Sequence, residues 1–214
     1  MAPATKTEAQ RIKVLWQYDV LDTVPEEVFD DLTELAARIC EAPIALISLI
    51  DENRQWFKAK VGVTVSETSR DISFCAHAIK QQDLFIIPDA TKDERFASNP
   101  LVISDPKIRF YAGAPLITPD GYALGTLCVI DKVPRELRLE QKQALRVLAR
   151  HVMMQLELRR HARELHEAHQ IKDATKDELS RVQAENGKLK RKLEKLKSKP
   201  AAKRTKVSKK AKKK

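Results

Sequence analysis

RFYAGAPLITPDGYALGTLCVI, residues 109–130, reads as two apolar strands either side of a turn. Thr118-Pro119-Asp120-Gly121 supplies the turn, because proline pre-sets φ and Asp-Gly adopts the backbone that a tight connection needs. The strands are predicted over Arg109–Ile117 and Tyr122–Ile130. Gly113 and Gly125 fall inside them, where a missing side chain marks a bulge or a close backbone approach. Asp131-Lys132-Val133-Pro134 ends the pair.

A second hairpin lies upstream. Ile44–Ile50 is a continuous apolar run, suited to a central strand buried on both faces. Asp51-Glu52-Asn53 turns the chain, and Gln55–Val61 returns it before Gly62. Residues 8–19 read as a short amphipathic helix with Ile12, Leu15 and Trp16 on one face. Thr23 and Glu26 have the spacing of a capping box. The helix they would open carries Phe29, Leu32, Leu35, Ala36, Ile39 and Cys40 at helical intervals, and Pro43 would stop it. Phe74–Lys80 reads as a helix and Leu84–Ile87 as a short strand. Residues 91–107 are punctuated by Asp, Ser, Asn and Pro and form a long connection. From Arg135 there is no proline until Pro200 and one glycine, Gly187. That is about 60 residues of helical pattern, ~90 Å if straight. Two hairpins joined by helices make the fold class α+β, an antiparallel sheet with packed helices and a long C-terminal helix.

Charge divides the chain. Residues 187–214 hold 15 Lys/Arg and one acid, and residues 1–186 hold 25 basic and 29 acidic residues. The excess positive charge is therefore an interaction tail and not a property of the fold. The apolar runs are far shorter than the ~20 residues that span a bilayer, so no transmembrane segment is expected. MAPATKTEAQ has no apolar leader. Cys40, Cys75 and Cys128 read as reduced thiols, and the expected location is cytoplasmic. Four segments follow: a flexible N-terminus (1–7), a folded domain (8–157), a helical coiled-coil segment (158–197) and a disordered Lys-rich tail (198–214).

The blocks PIALISLIDENRQWFKAKVG, ETSRDISFCAHAI, PDATKDERFASNPLV and IRFYAGAPLITPDGYALGTLCVID, in this order, resemble the GAF domains that open many bacterial histidine kinases and diguanylate cyclases. LDTVPEEVFDDLTELAARIC fits the same pattern, and the resemblance covers about residues 8–160. It implies a central antiparallel sheet of five to six strands with helices on both faces. One face carries the terminal helices, and the other a pocket roofed by segments around 66–107. The family's ligands range from cyclic nucleotides and tetrapyrroles to none, so fold does not settle function. The Asn-Lys-x-Phe…Asp-Glu signature of cyclic-nucleotide binders is absent, and Cys75 is followed by Ala76 where bilin binders have Cys-His.

Candidate ligand-binding residues near the implied roof are Cys75, His77, Asp89, Arg95, Phe96, Asn99, Arg109 and Tyr111. A pocket needs an apolar lining with a few placed polar groups, which this set supplies. The competing readings are structural: Asp89 and Asn99 as turn caps, Arg95 and Arg109 as partners of nearby acids, His77 as a hydrogen-bonded helix histidine. No metal site and no catalytic residue is expected, and no cofactor is named. Cys75 and Cys128 keep open a second class, a thiol-dependent methionine sulfoxide reductase of GAF type. Cys128 lies in a buried-looking strand, which argues against it.

From Leu158 a heptad runs through the long helix. Its a positions are Leu158, Leu165, Lys172, Leu179, Asn186 and Leu193, and its d positions are His161, Ala168, Thr175, Val182, Leu189 and Leu196. Leu179–Leu196 is the clean half. Asn186 at a single a position favours a parallel pair, with Glu185 and Lys190 placed to meet across it. A homodimer is therefore expected through Leu179, Val182, Asn186, Leu189, Leu193 and Leu196. In the tail, Lys203, Arg204, Lys206, Lys209, Lys210, Lys212, Lys213 and Lys214 have no aromatic neighbours. They suit phosphate contacts with nucleic acid or another polyanion, without base readout. The expected function is a non-enzymatic sensory or scaffolding module in signal transduction. A small-molecule ligand is a further expected partner. A nucleic-acid-associated protein whose GAF domain is only structural is the third reading.

Overall fold

The computed structural model describes residues 7–197. The elements run α1 (Glu8–Gln17), α2 (Glu27–Cys40), β1 (Ile44–Ile50), β2 (Arg54–Val61), β3 (Glu67–Ser69), a 3-10 turn (Arg70–Ile72), α3 (Cys75–Ala78), β4 (Phe85–Ile87), α4 (Pro100–Ile103), β5 (Phe110–Ile117), β6 (Ala123–Asp131) and α5 (Leu139–Lys197). The chain divides into two units, residues 1–162 and 163–214. No helix of the described residues is long and apolar enough to cross a membrane.

All six strands join one antiparallel sheet in the order β3-β2-β1-β6-β5-β4. β1 is central and every residue of it is buried. Successive side chains of a strand point to opposite faces, so one apolar run supplies two cores. Ala45, Ile47 and Leu49 of β1, Leu127 and Val129 of β6, and Phe110, Ala112, Ala114 and Leu116 of β5 face the helical layer. Ile44, Leu46, Ile50, Tyr111, Cys128 and Ile130 face the opposite way. The helical layer is α1, α2 and residues 139–162 of α5, through Leu15, Phe29, Ala36, Leu145, Val152 and Leu156. The other face is covered by the segment from β3 to Ile108, through Phe74, Cys75, Phe85, Phe96 and Val102.

Gly125 is where β6 meets β1 most tightly. A Cβ there would lie 1.9 Å from the carbonyl oxygen of Ser48. The glycine predicted to mark a close approach therefore does so.

Several local expectations need correction. Thr23 does not cap α2, whose N-cap is Glu26 with no side-chain capping bond. Thr23 instead donates its hydroxyl to the Val20 carbonyl at 2.7 Å and accepts from Lys58. A true capping box lies at Thr7 and Gln10, opening α1. α2 ends on Glu41 in the left-handed region, φ 53°, two residues before Pro43. Trp16 is half exposed and donates to Asp51 instead of joining the core. The 91–107 connection contains a short helix, α4, capped by Asn99.

Lys58 ties α2 to the sheet. Its side chain is fully buried, and its Nζ donates to Glu26 Oε1 (2.6 Å), Thr23 Oγ1 (2.9 Å) and the Val24 carbonyl (2.8 Å). Burial raises the Glu26 pKa, but Lys58 and Arg159 outweigh it and hold the carboxyl below its ordinary value of 4.5. Its contribution to stability is thus complete above pH 4.5 and is lost as pH falls through the lowered folded value. Removing one member of a buried pair strands the other charge, at about 3–5 kcal/mol. Two neutral acceptors remain for Lys58, so we predict that Glu26→Ala costs about 3 kcal/mol by urea unfolding at pH 7. The variant should also lose this part of the acid dependence. A cost under about 1 kcal/mol, the range of a surface pair, would show that the contact is not structural.

Candidate functional site

The sequence places its site candidates in the segment that covers the second face of the sheet. There Phe74 stacks on Phe96 with centroids 4.0 Å apart, and Tyr111 lies against Phe74 at 5.3 Å. Phe74, Phe96 and Tyr111 are buried to 3% exposure or less. The chain's own rings thus pack together under the roof. Beneath them the Cys75 and Cys128 sulfurs are 3.7 Å apart, and Tyr111 donates its hydroxyl to Cys75 Sγ at 3.2 Å. A Cβ on Gly113 would lie 2.2 Å from that hydroxyl, so glycine makes the room for it. Ser48 and Thr126 share a hydroxyl hydrogen bond at 3.2 Å on adjacent strands.

Burial raises the Cys75 pKa, yet hydrogen bonds with Cys128, Ser48, Thr126 and Tyr111 outweigh it and hold that thiol below its ordinary value. Cys128 is held well above the usual thiol range, first by its hydrogen bond to Cys75 and then by burial. Both are closed to solvent, at 1% and 0% exposure. The thiolate is the reactive form, and it reacts only where a partner can reach it.

The remaining candidates separate. His77 is half-buried with its ring edge on Phe96 at 4.9 Å. Burial, then Lys80 and Arg95, lower its pKa, so the imidazole is neutral near pH 7. Arg95 lies over the rings of Phe85 and Phe96 and pairs with Asp93 at 2.6 Å. Asp89 accepts from the backbone and hydroxyl of Thr91 and pairs with Lys92. Asn99 caps α4 and donates its amide to the Ile72 carbonyl. Arg109 donates to the carbonyls of Val102 and Ile108 and not to acids. Cys75, Phe96 and Tyr111 therefore share one cluster with His77 and Arg95 at its rim. Asp89, Asn99 and Arg109 hold the covering backbone in place. Sequence reasoning missed Ser48 and Thr126, whose hydroxyls lie inside apolar strands. It also missed that Cys75 and Cys128 touch, since the two are 53 residues apart. Among the described residues, no cluster of three or more His, Cys, Asp or Glu groups converges to hold a metal.

A second feature lies on the helical side. A groove of about 770 Å³ runs between residues 146–161 of α5 and a wall that includes Leu84, Pro115 and Ile117. Arg146 and Asp83 pair at 2.7 Å at its edge, and that pairing holds the Asp83 pKa at about 2. In residues 163–197 the apolar seam residues are all exposed: Leu179 56%, Val182 43%, Leu189 54%, Leu193 55% and Leu196 68%. Asn186 is exposed as well. The tail candidates Lys203, Arg204, Lys206, Lys209, Lys210, Lys212, Lys213 and Lys214 lie outside the described residues.

Comparison with known proteins agrees with this architecture. The chain is 44% identical over 143 residues to a cyclic di-GMP phosphodiesterase of Pseudomonas aeruginosa. The match takes in 67% of this chain and 24% of that protein, so the chain spans about a quarter of its relative's length. The GAF domain of an Acinetobacter phosphoenolpyruvate-protein phosphotransferase superposes with a TM-score of 0.53 at 17% identity, over 71% of this chain and 95% of that one. A free methionine-R-sulfoxide reductase of Neisseria meningitidis superposes with a TM-score of 0.52 at 15% identity, over 75% and 96%. At these identities the two structures show the fold alone. The GAF domain profile matches residues 24–156, more than half of the chain. The chain belongs to the GAF domain family.

Proposed function

We propose that this chain is a regulatory GAF module without a reaction centre, acting in signal transduction as a homodimeric scaffold. The observation that carries the reading is the row of exposed Leu and Val side chains at heptad spacing over Leu179–Leu196. Single exposed leucines need no explanation, but a heptad row with a polar residue at one a position is the pattern of a coiled-coil seam. The filled cluster around Phe74 and Phe96 favours scaffolding over sensing, because a ligand there must first part a closed ring stack. The phosphodiesterase relative supports a regulatory setting, since the matched stretch is about a quarter of that larger protein. Three free buried thiols suit the reducing cytoplasm.

The tail adds a polyanion-binding element on charge alone. Its affinity is steeply salt-dependent through counterion release. A gel shift with duplex DNA that survived removal of residues 198–214 would contradict it.

The adjacent sulfurs favour a second reading, a dithiol reductase. The burial of both sulfurs argues against it. We predict that none of the three thiols reacts with a disulfide reagent within minutes in the native chain and that all three react in denaturant. Rapid native reaction at Cys75 would revive the reductase. For the main reading, Leu189→Asp combined with Leu193→Asp should halve the mass measured by light scattering. An unchanged mass would remove the seam.

A further inference from the structure

We propose that Cys75 and Cys128 form an oxidation site, where a small hydroperoxide converts the two free thiols into a disulfide within one chain. The bridge bonds the covering segment to strand β6. It needs no partner chain and turns over no substrate.

The two sulfurs are held from different layers. Cys75 opens α3 in the cover, and Cys128 lies inside β6, 53 residues away in sequence. Their sulfurs are 3.7 Å apart and a disulfide needs about 2.05 Å, so about 1.7 Å of approach, shared between two side chains, makes the bond. Around them the apolar face of the sheet turns polar. Ser48, Thr126 and the Tyr111 hydroxyl gather with the sulfurs, and Gly113 leaves the space that the hydroxyl takes. Packing alone is served by apolar side chains of like size, whereas buried polar groups cost stability unless they pair. Here they pair around Cys75, and their hydrogen bonds favour its thiolate. The thiolate is the form that attacks a peroxide.

The cover over Cys75 is thin. α3 is four residues long, and Ala76 and His77 beside Cys75 are part exposed. Short elements of this kind open locally at low cost. Hydrogen peroxide is uncharged and little larger than water, so it passes an opening that excludes a bulky disulfide reagent. The Cys75 thiolate attacks one peroxide oxygen. An S–O bond forms as the O–O bond breaks, and the departing oxygen leaves as hydroxide and takes up the proton that Cys75 released. The Cys128 sulfur then attacks the Cys75 sulfur. The S–S bond forms, the S–O bond breaks, and hydroxide leaves with the Cys128 proton as water. Two thiols give up two electrons and two protons, and one hydrogen peroxide becomes two waters.

Cys40 supplies the comparison inside the same chain. It is equally buried, it faces the helical layer and not the other two thiols, and burial pushes its pKa up to about 11. The test treats the native full-length chain with millimolar hydrogen peroxide, denatures it with an alkylating reagent present, and maps the thiols by mass spectrometry. Cys75 and Cys128 should appear as one disulfide-linked peptide pair, formed at least tenfold faster than Cys40 loses its label, and dithiothreitol should restore both thiols. In denaturant that preference should vanish. Three alkylated thiols after treatment, oxidation of Cys40 at the same rate, or bridges between chains in place of the internal one would overturn the site.

Discussion

The pairing of β1 with β6 constrains everything else in the domain. Both strands are central, both are apolar along their length, and Gly125 lets them close on the Ser48 carbonyl with no room for a methyl group. A sheet with two apolar faces has to be covered twice. Three helices cover one face. A segment of short elements, held by Asn99, Arg109 and Asp89, covers the other. The second cover packs stacked rings and a buried thiol pair against the sheet.

The parts of this arrangement that follow from periodicity were legible in the sequence. Ile44–Ile50 has no polar partner residues except Ser48, and a run of that kind suits only a strand buried on both sides. The two hairpins carry their own turn chemistry. What escaped depends on contacts distant in sequence. β3 is three residues, Glu-Thr-Ser, and exists because it pairs with β2. Thr23 has the spacing of a cap, but the buried Lys58 ammonium, 35 residues away, takes its hydroxyl. Trp16 has helical phase with Ile12 and Leu15, yet its indole N–H reaches Asp51 at the surface. Cys75, Phe96 and Tyr111, named from the sequence, lie in one buried cluster. The stacking of Phe74 on Phe96 was not legible, because such a contact leaves no mark in spacing.

On the proposed reading, function lies with the helix and not with the cluster. The core can hold a helix in a fixed rotation. α5 is anchored on the core through Leu145, Val152 and Leu156, and that anchoring sets which of its sides remains outside. A regulatory input that shifts such a helix needs different affinities for its two arrangements.

The central claim is that the chain is built to pair with itself. Sedimentation equilibrium of the full-length protein at micromolar concentration tests it most directly. The account predicts a single species of twice the 24.3 kDa chain mass. A mass of 24.3 kDa that persists as concentration rises would contradict it.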